Sequence, residues 1–93
     1  MINNITMPKA ALQGTSKAGA PISSGASKTK IEGLPAARKT DSVTAHGDSP
    51  HNKAIIAQGS SKVVIEGLPA ARVGDPASCG HGISGGASRT EIG

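Results

Sequence analysis

The chain has no phenylalanine, tyrosine or tryptophan among its 93 residues, and one cysteine, Cys79. Without aromatics there are no stacking platforms of the kind that bind single-stranded nucleic acids. A lone cysteine rules out an intrachain disulfide. No apolar run approaches the length that spans a membrane. Met1–Met7 lacks both the basic and the apolar segment of a secretory signal, so the protein is expected to be cytoplasmic on assembly and to leave, if it leaves, by another route. Hydrophobic residues make up 35% of the chain and lean towards alanine; with thirteen glycines and six prolines, they sustain no 3.6-residue apolar period, so no helix is expected. So small a chain has little apolar area to bury at about 25 cal/mol per Å². Chains of this size commonly add a metal, disulfides or a partner, and disorder is the alternative that composition alone would allow.

The formal net charge is +4, but no basic run exceeds Arg38-Lys39. Dispersed charges of this kind read as a solvated surface rather than a nucleic-acid patch, and no nucleic-acid partner is expected.

What the chain does have is a repeat. A shift of 34 residues lays Gly25–Asp41 on Gly59–Asp75 with 12 of 17 positions identical, including the unbroken run Ile31-Glu32-Gly33-Leu34-Pro35-Ala36-Ala37-Arg38. Gly86-Ala87-Ser88-Arg89-Thr90-Glu91-Ile92 begins a third copy, and Pro8-Lys9-Ala10-Ala11-Leu12 supplies a degenerate start with Leu12 in the arginine place. Each copy is too short to bury a core alone, so the copies must pack on one another. The reading is a single domain over 1–93, with copies at about 25–47 and 59–82 and partial copies at both ends. Three similar units in one chain can close around a pseudo-threefold axis.

Lys28-Thr29-Lys30-Ile31-Glu32 alternates as a half-buried strand does, with Thr29 and Ile31 inward. Lys62–Glu66 repeats the pattern with Val63 and Ile65, and Arg89–Ile92 with Thr90 and Ile92. Before each strand lies a Gly/Ser-rich stretch, and before that a short β-prone piece: Ala20–Ile22, Ala54–Ala57 and Gly82-Ile83. Strand, Gly/Ser turn, strand predicts three hairpins. Pro35 and Pro69 are expected to end the strands, with Gly33–Pro35 and Gly67–Pro69 as corners. The fold class is therefore all-β, three hairpins that can close around a pseudo-threefold axis. Arg38 and Arg72 each precede an aspartate by three residues, Asp41 and Asp75, and a local ion pair pinning the corner is the simplest account.

Every histidine and the only cysteine, namely His46, His51, Cys79 and His81, lie in connections between hairpins. The two loops follow successive Ala-Ala-Arg motifs at nearly the same interval, so closure about an axis would bring them together. Three imidazoles and a thiolate make a tetrahedral set suited to structural zinc, with iron as the alternative metal. A catalytic Cys79–His81 pair is the competing chemistry, but so small a chain offers no evident substrate pocket, and no enzyme activity is expected.

The doubled Gly-Leu-Pro-Ala-Ala-Arg, Gly74-Asp75-Pro76, Cys79-Gly80-His81-Gly82 and a Gly-Ala-Ser turn near the end closely resemble the PAAR-repeat family, from about Pro8 to Gly93. The resemblance implies a pointed cone of β-hairpins with a metal near its apex. It implies that the base docks on a trimeric β-helical spike, one tip per trimer, as in type VI secretion systems and related contractile tails. Such a tip caps and sharpens the spike, touches the target membrane transiently as it punctures the envelope, and can carry effector cargo outward or into the target cell. The alternative is a free-standing zinc-binding adaptor that recruits effectors. Family metal roles carry to His46, Cys79 and His81. Members commonly place a further histidine in the first connection, where this chain has Thr15-Ser16-Lys17-Ala18-Gly19. His51 must then complete the site, or a position stays open. With no extension beyond the cone, a stand-alone tip without a fused toxin domain is expected.

Overall fold

Each Ile-Glu-Gly-Leu folds as a hairpin with a two-residue turn. In the computed structural model, which describes residues 7–48 and 51–93, β1 (Lys30–Ile31) pairs antiparallel with β2 (Leu34–Pro35), and β3 (Val64–Ile65) with β4 (Leu68–Pro69). The turn residues Glu32 and Gly33 have φ of 53° and 84°, and Glu66 and Gly67 of 50° and 85°. Two successive positive φ values make the turn whose twist matches that of paired strands. The remaining pairing consists of isolated antiparallel bridges, and there is no helix among the described residues. The protein is all-β, as expected. The N-terminal segment 1–7, which lacks a secretory signal pattern, lies outside the described residues except for Met7.

The hairpins are not where the sequence pattern puts them. The Gly/Ser stretches do not turn the strands back; the turn is Glu-Gly, and Pro35 and Pro69, expected at corners beyond the strands, lie in the returning strands β2 and β4. Proline is tolerated there because Ile31 and Leu34 bracket the turn as the hydrogen-bonded pair, which leaves Pro35 opposite Lys30 at a position that owes the ladder no N–H. The next donor, Ala36 N, reaches Thr29 O at 3.0 Å, and the Pro35 carbonyl accepts from Gln13 N. The inward and outward alternation survives: Ile65 and Ile92 are buried, Thr29, Ile31, Val63 and Thr90 half-buried, and their neighbours exposed.

Three copies of Ala-Ala close the molecule. Ala11 N donates to Ala71 O, Ala71 N to Ala37 O and Ala37 N to Ala11 O, at 3.0, 2.9 and 3.0 Å. This cyclic set is a pseudo-threefold ring of backbone, flanked by the bridges Leu12–Ala36, Arg38–Ala70 and Ala10–Arg72. All six alanines are buried. A larger side chain would hold the three backbones apart, which is the physical reason for Ala-Ala in each copy.

Beyond the ring, each copy repeats one turn. Asp41 accepts from Arg38 N and Nε, and its other oxygen from Arg38 Nη2 at 3.2 Å; Asp75 holds Arg72 in the same way, at 2.8 Å. The expected ion pairs are therefore formed, and each also caps the arginine's own amide. In the degenerate N-terminal unit Leu12 replaces arginine, and fully buried Ser16 does the capping, accepting from Leu12 N at 2.8 Å. With no guanidinium to neutralise, a hydroxyl suffices.

The ring separates two apolar clusters. One holds Ala11, Ala37 and Ala71 with the equivalent Ile22, Ile56 and Ile83; the other holds Ala10, Ala36 and Ala70 with Ile65, Ile92 and Leu12. The hairpin turns lie on the second side. There Glu32 accepts from Ser88 N, Ser88 Oγ, Arg89 N and Thr90 Oγ1, across to the third copy, and Glu66 accepts from Lys28 N and Ser27 Oγ in the first. The equivalent Ser61–Val63 loop has no glutamate. Ser60, standing where the other copies have Ala26 and Ala87, accepts from Lys62 N and Val63 N instead and donates to Gly93 O.

Candidate metal centre

On the first side of the ring three connections leave the equivalent positions Ala18, Val43 and Ala77. Each is closed at its neck by a backbone bond: Ala18 N to Ala20 O, Val43 N to Ala54 O, and Ala77 N to His81 O. Their lengths differ, and so does what they carry. The first is reduced to Gly19. The second carries His46 and His51, and the third Cys79 and His81.

Local backbone aims the side chains. His46 N donates to His51 O at 3.1 Å and His51 N to Asp48 O at 2.7 Å, which ties the two histidines of this loop to one another. In the third loop Gly80, at φ 97°, makes the left-handed step that puts Cys79 and His81 on one side. His46 Nδ1 donates to Thr44 O at 2.8 Å, which fixes the tautomer and leaves Nε2 free as a donor to a metal.

The four sequence-predicted residues meet. One donor atom from each of His46, His51, Cys79 and His81 lies within 4.8 Å of every other. The imidazole centroids form a nearly equilateral triangle with sides of 4.9, 5.0 and 5.1 Å. Cys79 Sγ is 3.7 Å from His46 Nε2. A tetrahedral ion with one thiolate and imidazoles requires that edge to be about 3.6 Å.

Two further observations fit an ion here. His51 Nδ1 is buried and has no hydrogen-bond partner. A buried unpaired ring nitrogen is costly, and coordination would satisfy it. Gly19 lies directly against the rings: a Cβ there would come within 2.6 Å of both His46 Nε2 and His81 Cδ2, at a backbone φ of +87°. The N-terminal unit thus contributes a gap in which the imidazoles of the other two loops sit. His81 is exposed, while the other three are half-buried, so the cluster opens to solvent on one side.

Gly19 and the Thr44 carbonyl were not singled out by the sequence reading. The available signal was the shortening of the first connection to Ala18-Gly19-Ala20 where the other copies carry histidines. The chain matches the family described as PAAR motif over residues 12–85. No curated protein matches it.

Proposed function

This chain belongs to the PAAR-motif family, and we propose that it is the tip of a trimeric β-helical spike in a contractile injection machine of the type VI secretion kind. The observation that carries this reading is the cyclic backbone ring of Ala11, Ala37 and Ala71: a single chain with three internal copies can cap a threefold trimer without a symmetry mismatch. The role is structural, capping and sharpening the spike for passage through an envelope, with transient membrane contact and, where present, effector cargo. Assembly takes place in the cytoplasm and the tip is delivered outward.

His46 through Nε2, His51 through Nδ1, Cys79 and His81 are the proposed ligands. Three imidazoles and one thiolate favour zinc, with iron as the alternative. Such an ion supplies a crosslink between two loops that bury little apolar surface. His51 and His46 hold one loop to the centre, Cys79 and His81 hold the other, and Gly19 lets both approach.

Mass measurement of the complex reconstituted with the spike protein tests the reading. One copy of this chain per three spike chains is expected. A three-to-three complex, or no association, ends it and favours an adaptor that works without a spike.

A further inference from the structure

One outward-facing position carries a cation in all three copies. Lys28, Lys62 and Arg89 follow the equivalent serines Ser27, Ser61 and Ser88, and all three are exposed. The next outward position carries Lys30, Val64 and Glu91, a cation, an apolar residue and an anion. The one after that carries Glu32, Glu66 and Gly93. The same sign is kept at one level only, and lysine and arginine are used interchangeably to keep it.

The backbone at that level is also held the same way in each copy, by different residues. Lys28 N donates to Glu66 Oε2 at 2.9 Å, Arg89 N to Glu32 Oε2 at 2.9 Å, and Lys62 N to Ser60 Oγ at 3.0 Å. The two carboxylates accept from these amides and from Ser27, Ser88 and Thr90 hydroxyls, and Glu66 also lies 4.0 Å from Arg38 Nη1. Ion pairs among the described residues join Lys9 to Glu91, Arg38 to Asp41 and Glu66, and Arg72 to Asp75; none involves the side chains of Lys28, Lys62 or Arg89. Lys28 and Arg89 stand two residues after Ala26 and Ala87 of the second apolar cluster, and Lys62 stands next to Val63, which packs against it, on the side of the alanine ring away from the four metal-donor residues.

We propose that Lys28, Lys62 and Arg89 form a pseudo-threefold basic collar that docks on a threefold-symmetric protein presenting acidic residues at its end. This rests on the spike-tip reading and says which chemistry the end of the spike must offer. Charges kept only for solubility need neither the same sign in every copy nor a pinned backbone beneath them. Three cations fixed in threefold register steer an acidic trimer into alignment and suppress other orientations.

The test measures association with the purified spike trimer at low and at physiological salt. K28E/K62E/R89E should slow association by about 100-fold at low salt and flatten its salt dependence. K17E/K39E/K53E makes the same change in net charge at exposed lysines outside the collar and should slow it by no more than about threefold. Melting curves check that both variants fold, and K28Q/K62Q/R89Q replaces the reversal variant if it does not. The single reversals K28E, K62E and R89E should cost equally. Equal slowing by the two triples, or one collar position dominating the singles, overturns the collar while leaving the spike-tip reading intact. Failure of the unmodified chain to bind the spike ends both. Loss of low-salt binding to duplex DNA in the collar triple, with spike association unchanged, would make the collar a nucleic-acid surface and overturn the proposal.

Discussion

On the hairpin side of the alanine ring, loops from different copies are fastened by carboxylates that accept from backbone amides and by the Ser60 hydroxyl, which donates to Gly93 O, over a cluster containing Ile65, Ile92 and Leu12. On the other side, the two long loops meet at imidazoles and a thiol, and among the described residues beyond Thr44 and Ser78 the backbone bonds stay within each loop. One end is therefore assembled by the chain itself. The other brings four donors together and needs something between them. Their dependence on solvent conditions should differ accordingly: the first responds to carboxylate protonation, the second to metal supply.

The largest expected effect comes from breaking the donor end. Chelation of the metal-loaded protein should lower Tm by about 10 °C or more, because so small a core cannot compensate. His51→Ala should reproduce most of that drop. Amide exchange should speed up in 44–53 and 78–81 while Ala11, Ala37 and Ala71 stay protected. Equal melting temperatures with and without metal would remove the crosslink from the account.

Next comes the capped turn that links both ends. Asp75→Ala leaves the Arg72 amide and guanidinium without their acceptor and should cost about 3 kcal/mol in denaturant melts. Ser16→Ala, at the neutral version of the same turn, should cost about 1 kcal/mol. Equal losses would mean that the guanidinium adds nothing to the cap.

The hairpin end should show itself in acid. Hydrogen bonds from the Arg89 amide first, then from Ser88, hold the Glu32 carboxyl down at about 2 from an ordinary 4.5. Glu66 is lowered as well, chiefly by the Thr29 hydroxyl. Because the folded value is depressed, the stabilisation is present above pH 4.5 and is lost as pH falls through about 2. Glu32→Gln should be less stable than the parent at neutral pH and should lose less between those limits. Since Glu32 is exposed, the effect is modest, and pH-dependent thermal melts check it. Parallel acid curves would show that the interlock contributes nothing.

The smallest effect concerns one turn. Thr40 sits at φ 76°, where the equivalent residues of the other copies are Gly14 at 86° and Gly74 at 97°. A β-branched residue is strained there, so Thr40→Gly should stabilise the protein by about 1 kcal/mol. A neutral or destabilising result in the same melts would show that the turn has relaxed around threonine.

Much of the candidate centre was legible in the sequence. The four donors stood in matched loops of a repeat, and closure about an axis was enough to bring them together. The hairpins were misplaced for a specific reason. Turn chemistry points to the Gly/Ser stretches, because glutamate at positive φ is uncommon and Glu-Gly is a poor advertisement for such a turn. What makes it tolerable at Glu32 is a set of hydrogen bonds to residues 56 to 58 positions away, which no local pattern contains.

By itself the sequence determined the repeat, the inward and outward alternation of each strand, the Arg–Asp pairs and which four side chains, His46, His51, Cys79 and His81, come together. These follow from local spacing and side-chain chemistry. Tertiary structure alone decided that Ala11, Ala37 and Ala71 close a ring, that Glu32 and Glu66 reach across to other copies while Ser60 fills the third place, and that Gly19 provides the gap beneath the imidazoles. Each of these depends on which copy lies beside which, and adjacency around an axis is set by backbone closure between residues far apart in the chain.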